Sequence, residues 1–95
     1  MTTNEVPVAL FRLGHIVATP AALARLSQDD ILLAIRRHQA GDWGDLSEED
    51  KRENQLSLEK GLRLFSKYCS SKGTKFWIIT EADRSATTVL LPDHY

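Results

Sequence analysis

"LSLEKGLRLFSKYCS", Leu56 to Ser70, admits two readings, and the fold follows from the choice between them. Leu58, Leu62, Phe65 and Cys69 recur at the spacing of a helix face, so a helix that starts upstream could run on through residues 62–69. Gly61 stands against this, because a glycine inside a helix costs about 1 kcal/mol. The Ser and Tyr that follow it suit an extended chain better. We read a helix that ends at Gly61 and a strand after it, with the helical extension as the alternative.

With a strand after Gly61, three short segments follow one another: "LRLFSKYCS", "TKFWIITE" and "ATTVLLP". "SKG" and "ADRS" separate them, which predicts a β-meander with tight turns, ended by Pro92. Toward the N-terminus, "SEEDKRENQLSLEKG" predicts a helix capped by Ser47, with Glu48, Glu49 and Asp50 at the positive end of its dipole. Ser27 caps the predicted helix before it, Gln28–Gln39, which carries Ile31, Ile35 and His38 as a stripe with Leu32 beside them. Gly41 suits the residue just past that helix. Thr19 and Pro20 mark a further helix start. The segment from Ala9 to Ala18 reads as a strand bent at Gly14, and Met1 to Glu5 as a frayed end. The predicted order is β-α-α-α-β-β-β. This is an α+β chain, with helices on one face of an antiparallel four-stranded sheet and the first strand joining the meander at an edge or between strands.

The composition bounds the rest. Ninety-five residues make a single domain, and 42% apolar with 26% charged residues is ordinary for a globular chain. Twelve basic and thirteen acidic residues give a net charge of −1, which does not favour a broad nucleic-acid surface. The one cysteine, Cys69, has no intramolecular partner and reads as a packed strand residue. There is no leader-like segment and no apolar run long enough to span a membrane, so the expected address is the cytoplasm. His15, His38 and His94 are scattered without metal-ligand spacing, and no phosphate- or dinucleotide-binding loop is present, so neither metal nor cofactor is expected.

Two polar blocks carry the candidate chemistry. In "RRHQAGDWGDL" (Arg36–Leu46), His38 lies at a helix C-terminus, with Asp42 and Asp45 close behind it. The dipole and the carboxylates would favour its charged form, giving a His–Asp acid–base couple. The plainer reading makes Gly41 a helix terminator, Trp43 a core anchor, the aspartates turn formers and His38 a packed, hydrogen-bonded side chain. In "TEADRSATT" (Thr80–Thr88), Glu81, Asp83 and Arg84 could hold a phosphate; they equally describe a solvated turn. On the preceding strand, alternation puts Arg63 and Lys67 on one face and Ser66 and Tyr68 on the other. The basic pair could meet an RNA backbone or keep a strand soluble.

The stretches "TPAAL", "RHQAGDWGDL" and "WIITEADRSATTVLLPDHY", with Asn54, Gly61, Arg63, Ser66 and Tyr68 between them, resemble a family of small plasmid-related proteins from bacterial plasmids, phages and integrated elements. The resemblance runs from about Phe11 to Tyr95, and its recognisable blocks are "RHxxGDWG" and "ITEADRSxTTxLLP". It implies a setting, an accessory gene on mobile DNA, and brings no activity with it.

Two functions fit. The first is a protein-interaction module, monomeric or a small homo-oligomer, with Trp43 or Trp77 beside an arginine as the anchor. Trp43, Asp45, Arg63, Lys67, Tyr68 and Asp83 are its binding candidates. The second is a metal-independent ribonuclease of barnase- or RelE-like layout, with His38 or Glu81 as base or acid and Arg84 on the phosphate. Its signature would be one cleft holding His38, Asp42, Glu81 and Arg84.

Overall fold

The structure, a computed structural model, describes residues 9–94; the fraying expected for residues 1–5 lies outside them. The chain runs β1 (His15–Ala18), α1 (Pro20–Arg25), α2 (Gln28–Gln39), α3 (Glu48–Lys60), β2 (Leu64–Cys69), β3 (Lys75–Thr80) and β4 (Ala86–Leu90), then a single 3₁₀ turn at Pro92–His94. The α+β layout is the one expected, and Gly61 does end α3, so residues 64–69 form a strand. All three predicted caps are made. Thr19, Ser27 and Ser47 accept from the amides of Ala22, Asp30 and Asp50 at 3.2, 3.1 and 3.1 Å. Each bond satisfies an amide that its helix leaves without an internal partner.

The sheet order is β1-β4-β3-β2. β2, β3 and β4 form the antiparallel meander, whereas β1 runs parallel to β4, so the sheet is mixed rather than wholly antiparallel. The three helices carry the chain from one sheet edge to the other, and such a crossover leaves the strands at its two ends pointing the same way. The first strand is also shorter than expected. Residues 9–14 form an irregular segment laid on the end of α2, where Leu10 donates to the Gln39 carbonyl at 2.9 Å and Gln39 Nε2 donates to the Phe11 carbonyl at 2.8 Å. Gly14, at φ +66°, makes the break; a Cβ there would lie 2.3 Å from the Ser85 carbonyl carbon, so only glycine lets β1 start beside β4.

Pairing fixes which side chains share a face. Leu64, Ser66 and Tyr68 of β2 align with Thr80, Ile78 and Phe76 of β3, and Ile78 with Val89 of β4. This face takes α1 and α2 through Ala22, Leu26, Ala34 and Ile35. Leu32, placed near the stripe by the sequence, is 51% exposed, because Ala34, Ile35 and His38 turn inward and Leu32 and Leu33 turn out. α3 instead flanks the β2 edge. The Asn54 amide accepts from the Phe65 amide at 3.1 Å and donates to its carbonyl at 2.5 Å, so the outward backbone groups of that strand are paired by a side chain. The next outward residue, Lys67, is paired by the loop 43–45, whose Gly44 bridges to it. A Cβ on Gly44 would fall 1.9 Å from the Lys67 carbonyl oxygen.

Candidate functional site

His38 is fully enclosed, at 0% exposure. Its Nδ1 lies 2.6 Å from Ser66 Oγ on β2, and its Nε2 lies 2.9 Å from Thr80 Oγ1 on β3. Thr80 Oγ1 is 2.8 Å from Thr87 Oγ1 on β4, and the Thr87 hydroxyl donates to the Leu13 carbonyl at 2.7 Å. The direction of the chain follows from the donor count. Thr87 spends its one proton on Leu13, so Thr80 donates to Thr87 and its oxygen accepts from His38. His38 therefore carries its proton on Nε2, and Nδ1 accepts from the Ser66 hydroxyl. Four side chains from α2 and three strands form one directed run of hydrogen bonds ending on a backbone carbonyl.

Around this run the walls are aromatic. Phe11 and Trp43 both meet the His38 ring edge-on, at centroid distances of 5.2 and 5.7 Å. Burial among these rings, with the positive charge of Arg84 second, pulls the His38 pKa down from 6.5 to about 3. This reverses the expectation from the helix dipole and the aspartates: desolvation of an imidazolium outweighs both. Among the described residues, no buried side-chain nitrogen or oxygen lacks a partner.

The other members of the first block are equally engaged. Asp42 does not reach His38; its carboxylate takes a forked contact from Arg37, at 2.7 and 3.3 Å, and a further bond from the Gly44 amide. Those bonds hold its pKa below the usual carboxylate range. The Tyr68 hydroxyl donates to the Asp42 carbonyl at 2.5 Å, and the Arg37 guanidinium lies over the Tyr68 ring at 4.7 Å. Burial raises the Tyr68 pKa. Trp43 is buried, and packs with Leu46 and Leu64 as the joint between α2 and α3.

In the second block, Asp83 accepts from the Ser85 amide at 3.0 Å, an Asx-turn. Arg84 adopts φ +61° and turns its Nη1 onto the carbonyls of Leu62, Glu81 and Ala82 at 2.7, 3.0 and 3.3 Å. The Glu81 carboxylate faces Arg63, 3.9 Å away, rather than Arg84. The two polar blocks thus do come together, through the His38–Thr80 bond and through Phe11, which lies between His38 and the Arg84 guanidinium, the latter 5.6 Å from its ring. The four candidate side chains turn to different partners. His38 faces hydroxyls, Asp42 faces Arg37, Glu81 faces Arg63 and Arg84 faces carbonyls. Among the described residues, no group of His, Cys, Asp and Glu could hold a metal ion, and no helix is long and apolar enough to cross a membrane.

The other face of the sheet receives neither α1 nor α2. Phe65 pairs with Ile79 and Lys67 with Trp77 in register, and Trp77 with Leu90, so these side chains line one surface. Phe65 and Trp77 meet edge to face, with centroids 5.0 Å apart and planes at 82°. With Arg63 and Ile79 they line a hollow of about 290 Å³. Lys67 Nζ stands 5.8 Å from the Phe65 ring and 6.0 Å from the Trp77 ring. Arg63 and Lys67 share this side while Ser66 and Tyr68 point the other way, as strand alternation requires. Cys69, expected to be packed, is exposed, at the end of β2 on the same side. Asp45 sits beyond the β2 edge, lining an adjoining hollow with Lys67, Lys75 and Trp77.

Sequence reasoning missed Ser66, Thr80 and Thr87 as partners of the histidine, and Phe65, Ile79 and Lys75 as lining of the open face. A period of two along each strand sorts these residues by face, but which of them meet is set by cross-strand register. Fold and geometry define a small α+β domain with an enclosed polar centre and an apolar, base-flanked sheet face. Comparisons with protein-family models, with curated proteins and with solved structures each give no match.

Proposed function

We propose that the protein is a small protein-interaction module that works by binding rather than by catalysis. The observation that carries this is the hollow on the open sheet face, where Phe65 and Trp77 stand over Ile79 beside Arg63. Aromatic and arginine side chains at the centre of a patch are the usual anchors of a protein interface. Of the groups considered for catalysis, His38 has no exposed surface to offer an external substrate, and Asp42 and Glu81, at the surface, are each paired with an arginine. The same proposal takes its setting from the sequence resemblance: an accessory protein of a mobile genetic element, acting in the cytoplasm.

The test is site-specific photo-crosslinking in the host cell. A photoreactive residue at position 67 or 75 is expected to give protein adducts, and one at the exposed Glu53 of α3 to give none. Equal labelling at all three positions, or none at 67 and 75, contradicts the reading.

A further inference from the structure

We propose that the open sheet face takes an acidic segment of a partner protein, with one large apolar side chain of that segment seated in the hollow between Phe65 and Trp77. This rests on the interaction-module reading above and adds the chemistry of the partner. The hollow, about 290 Å³, is at the small end of the range of ligand pockets, about 300–1,000 Å³, so it suits one side chain better than a whole cofactor. Its floor is Ile79, which is 4% exposed, so an apolar group entering it displaces water from apolar surface on several sides.

Charge selects the flanks of the occupant. On the strand positions of this face in β2 and β3 the ionisable groups, Cys69 apart, are both basic: Lys67, over the two rings, and Lys75, paired in register with Cys69. Arg63 adds a third cation at the wall of the hollow. The carboxylates stand at the rims, Glu81 3.9 Å from Arg63 and Asp45 beyond the β2 edge. In a chain of net charge −1, this surface is therefore more basic than the average of the molecule. Complementary carboxylates on the partner would meet Lys67 and Lys75, which steers association and rejects basic sequences.

A nucleic-acid strand offers negative charge too, and the ring geometry argues against it. Successive bases stack on aromatic faces that lie along one surface. Here the two rings are 82° apart, and a lysine ammonium already lies near both ring faces. An aliphatic or aromatic side chain needs only the volume between them.

The experiment is a display selection of random peptides on the full chain, run beside a selection from a random single-stranded RNA pool. Both are repeated on the double variant Lys67→Glu, Lys75→Glu, whose folding is checked by circular dichroism and thermal melting. Enriched peptides are expected to carry net negative charge around a Phe, Leu or Trp. The best of them should bind the double variant about tenfold more weakly or worse at low salt. The selection on the variant should turn toward basic peptides. Neutral or basic peptides on the native chain, affinity unmoved by the double variant, enrichment from the RNA pool alone, or no enrichment at all each overturn the proposal. The crosslinking test keeps the two levels apart. Adducts at positions 67 and 75 together with a failed charge selection remove the acidic partner and leave the module; absence of adducts removes both.

Discussion

On the helix side of the sheet, Ser66, Thr80 and Thr87 are wholly buried beneath α2, bonded to one another through His38 or directly. On the other side of the same sheet, Phe65 and Trp77 are half-buried and Val17 of β1 is 47% exposed. The covered face sets three buried hydroxyls among Leu64, Phe76, Ile78 and Val89, while the other face sets half-buried rings among lysines, a less complete sorting than alternation along an antiparallel sheet usually gives. The buried hydroxyls are affordable because each has a partner, and together they leave the imidazole no unfilled bond. Phe65 and Trp77 pack edge to face on each other and stay only half-covered. The conspicuous polar blocks of this chain thus help hold the structure together, while Phe65, Lys67 and Trp77, from plainer strand sequence, line the opposite face.

That contrast can be broken most forcefully from the inside. His38→Ala removes the imidazole, takes from Ser66 its histidine acceptor and leaves Thr80 with its Thr87 bond alone beside a cavity, so a loss of about 3 kcal/mol or more is expected in chemical denaturation. A loss below about 1 kcal/mol would show that the network is not structural. Thr87→Val keeps the shape and strands the Leu13 carbonyl and the Thr80 hydroxyl, at a smaller expected cost of about 1–3 kcal/mol.

Acid sharpens the comparison. In the folded chain His38 takes up a proton only near pH 3, whereas in the unfolded chain it does so near 6.5. The unfolded state therefore binds the extra proton between those values. Stability is complete above about pH 6.5 and falls with acid by up to about 1.4 kcal/mol per pH unit. Asp42 acts in the same sense lower down, since its depressed pKa contributes stability that is lost as pH falls through the carboxylate range. Denaturation series across this window check the slope, and His38→Gln should flatten its upper part. The smallest effect belongs to the outer face: Lys67→Glu is expected to change stability by less than about 0.5 kcal/mol while altering partner binding. A large loss of stability there would mean that the two faces are not separate in role.

Much of the fold was legible because its signals are local. Thr19, Ser27 and Ser47 announce three helix starts, Gly61 stops the last of them, and the "SKG" and "ADRS" breaks mark the meander. The direction of β1 was not legible, since a short apolar strand pairs equally well either way and the crossover of three helices decides it. The site was harder. His38 could be singled out, but its partners lie 28 and 42 residues away, and chain spacing carries no record of such contacts. Asp42 pairs with Arg37, five residues back, rather than with His38, four residues back. The open face was hidden because "WII" reads as a continuous apolar run; the pairing of Phe65 with Ile79 and of Lys67 with Trp77 is what separates inside from outside.

Nitrogen-15 NMR of the His38 ring, followed from about pH 7.5 down to about pH 4, reads out whether the buried imidazole is a neutral structural link. A neutral ring with its proton on Nε2 that does not titrate while the protein stays folded is the expected result. An Nδ1–H tautomer, or protonation near pH 6.5 in the folded state, would contradict it.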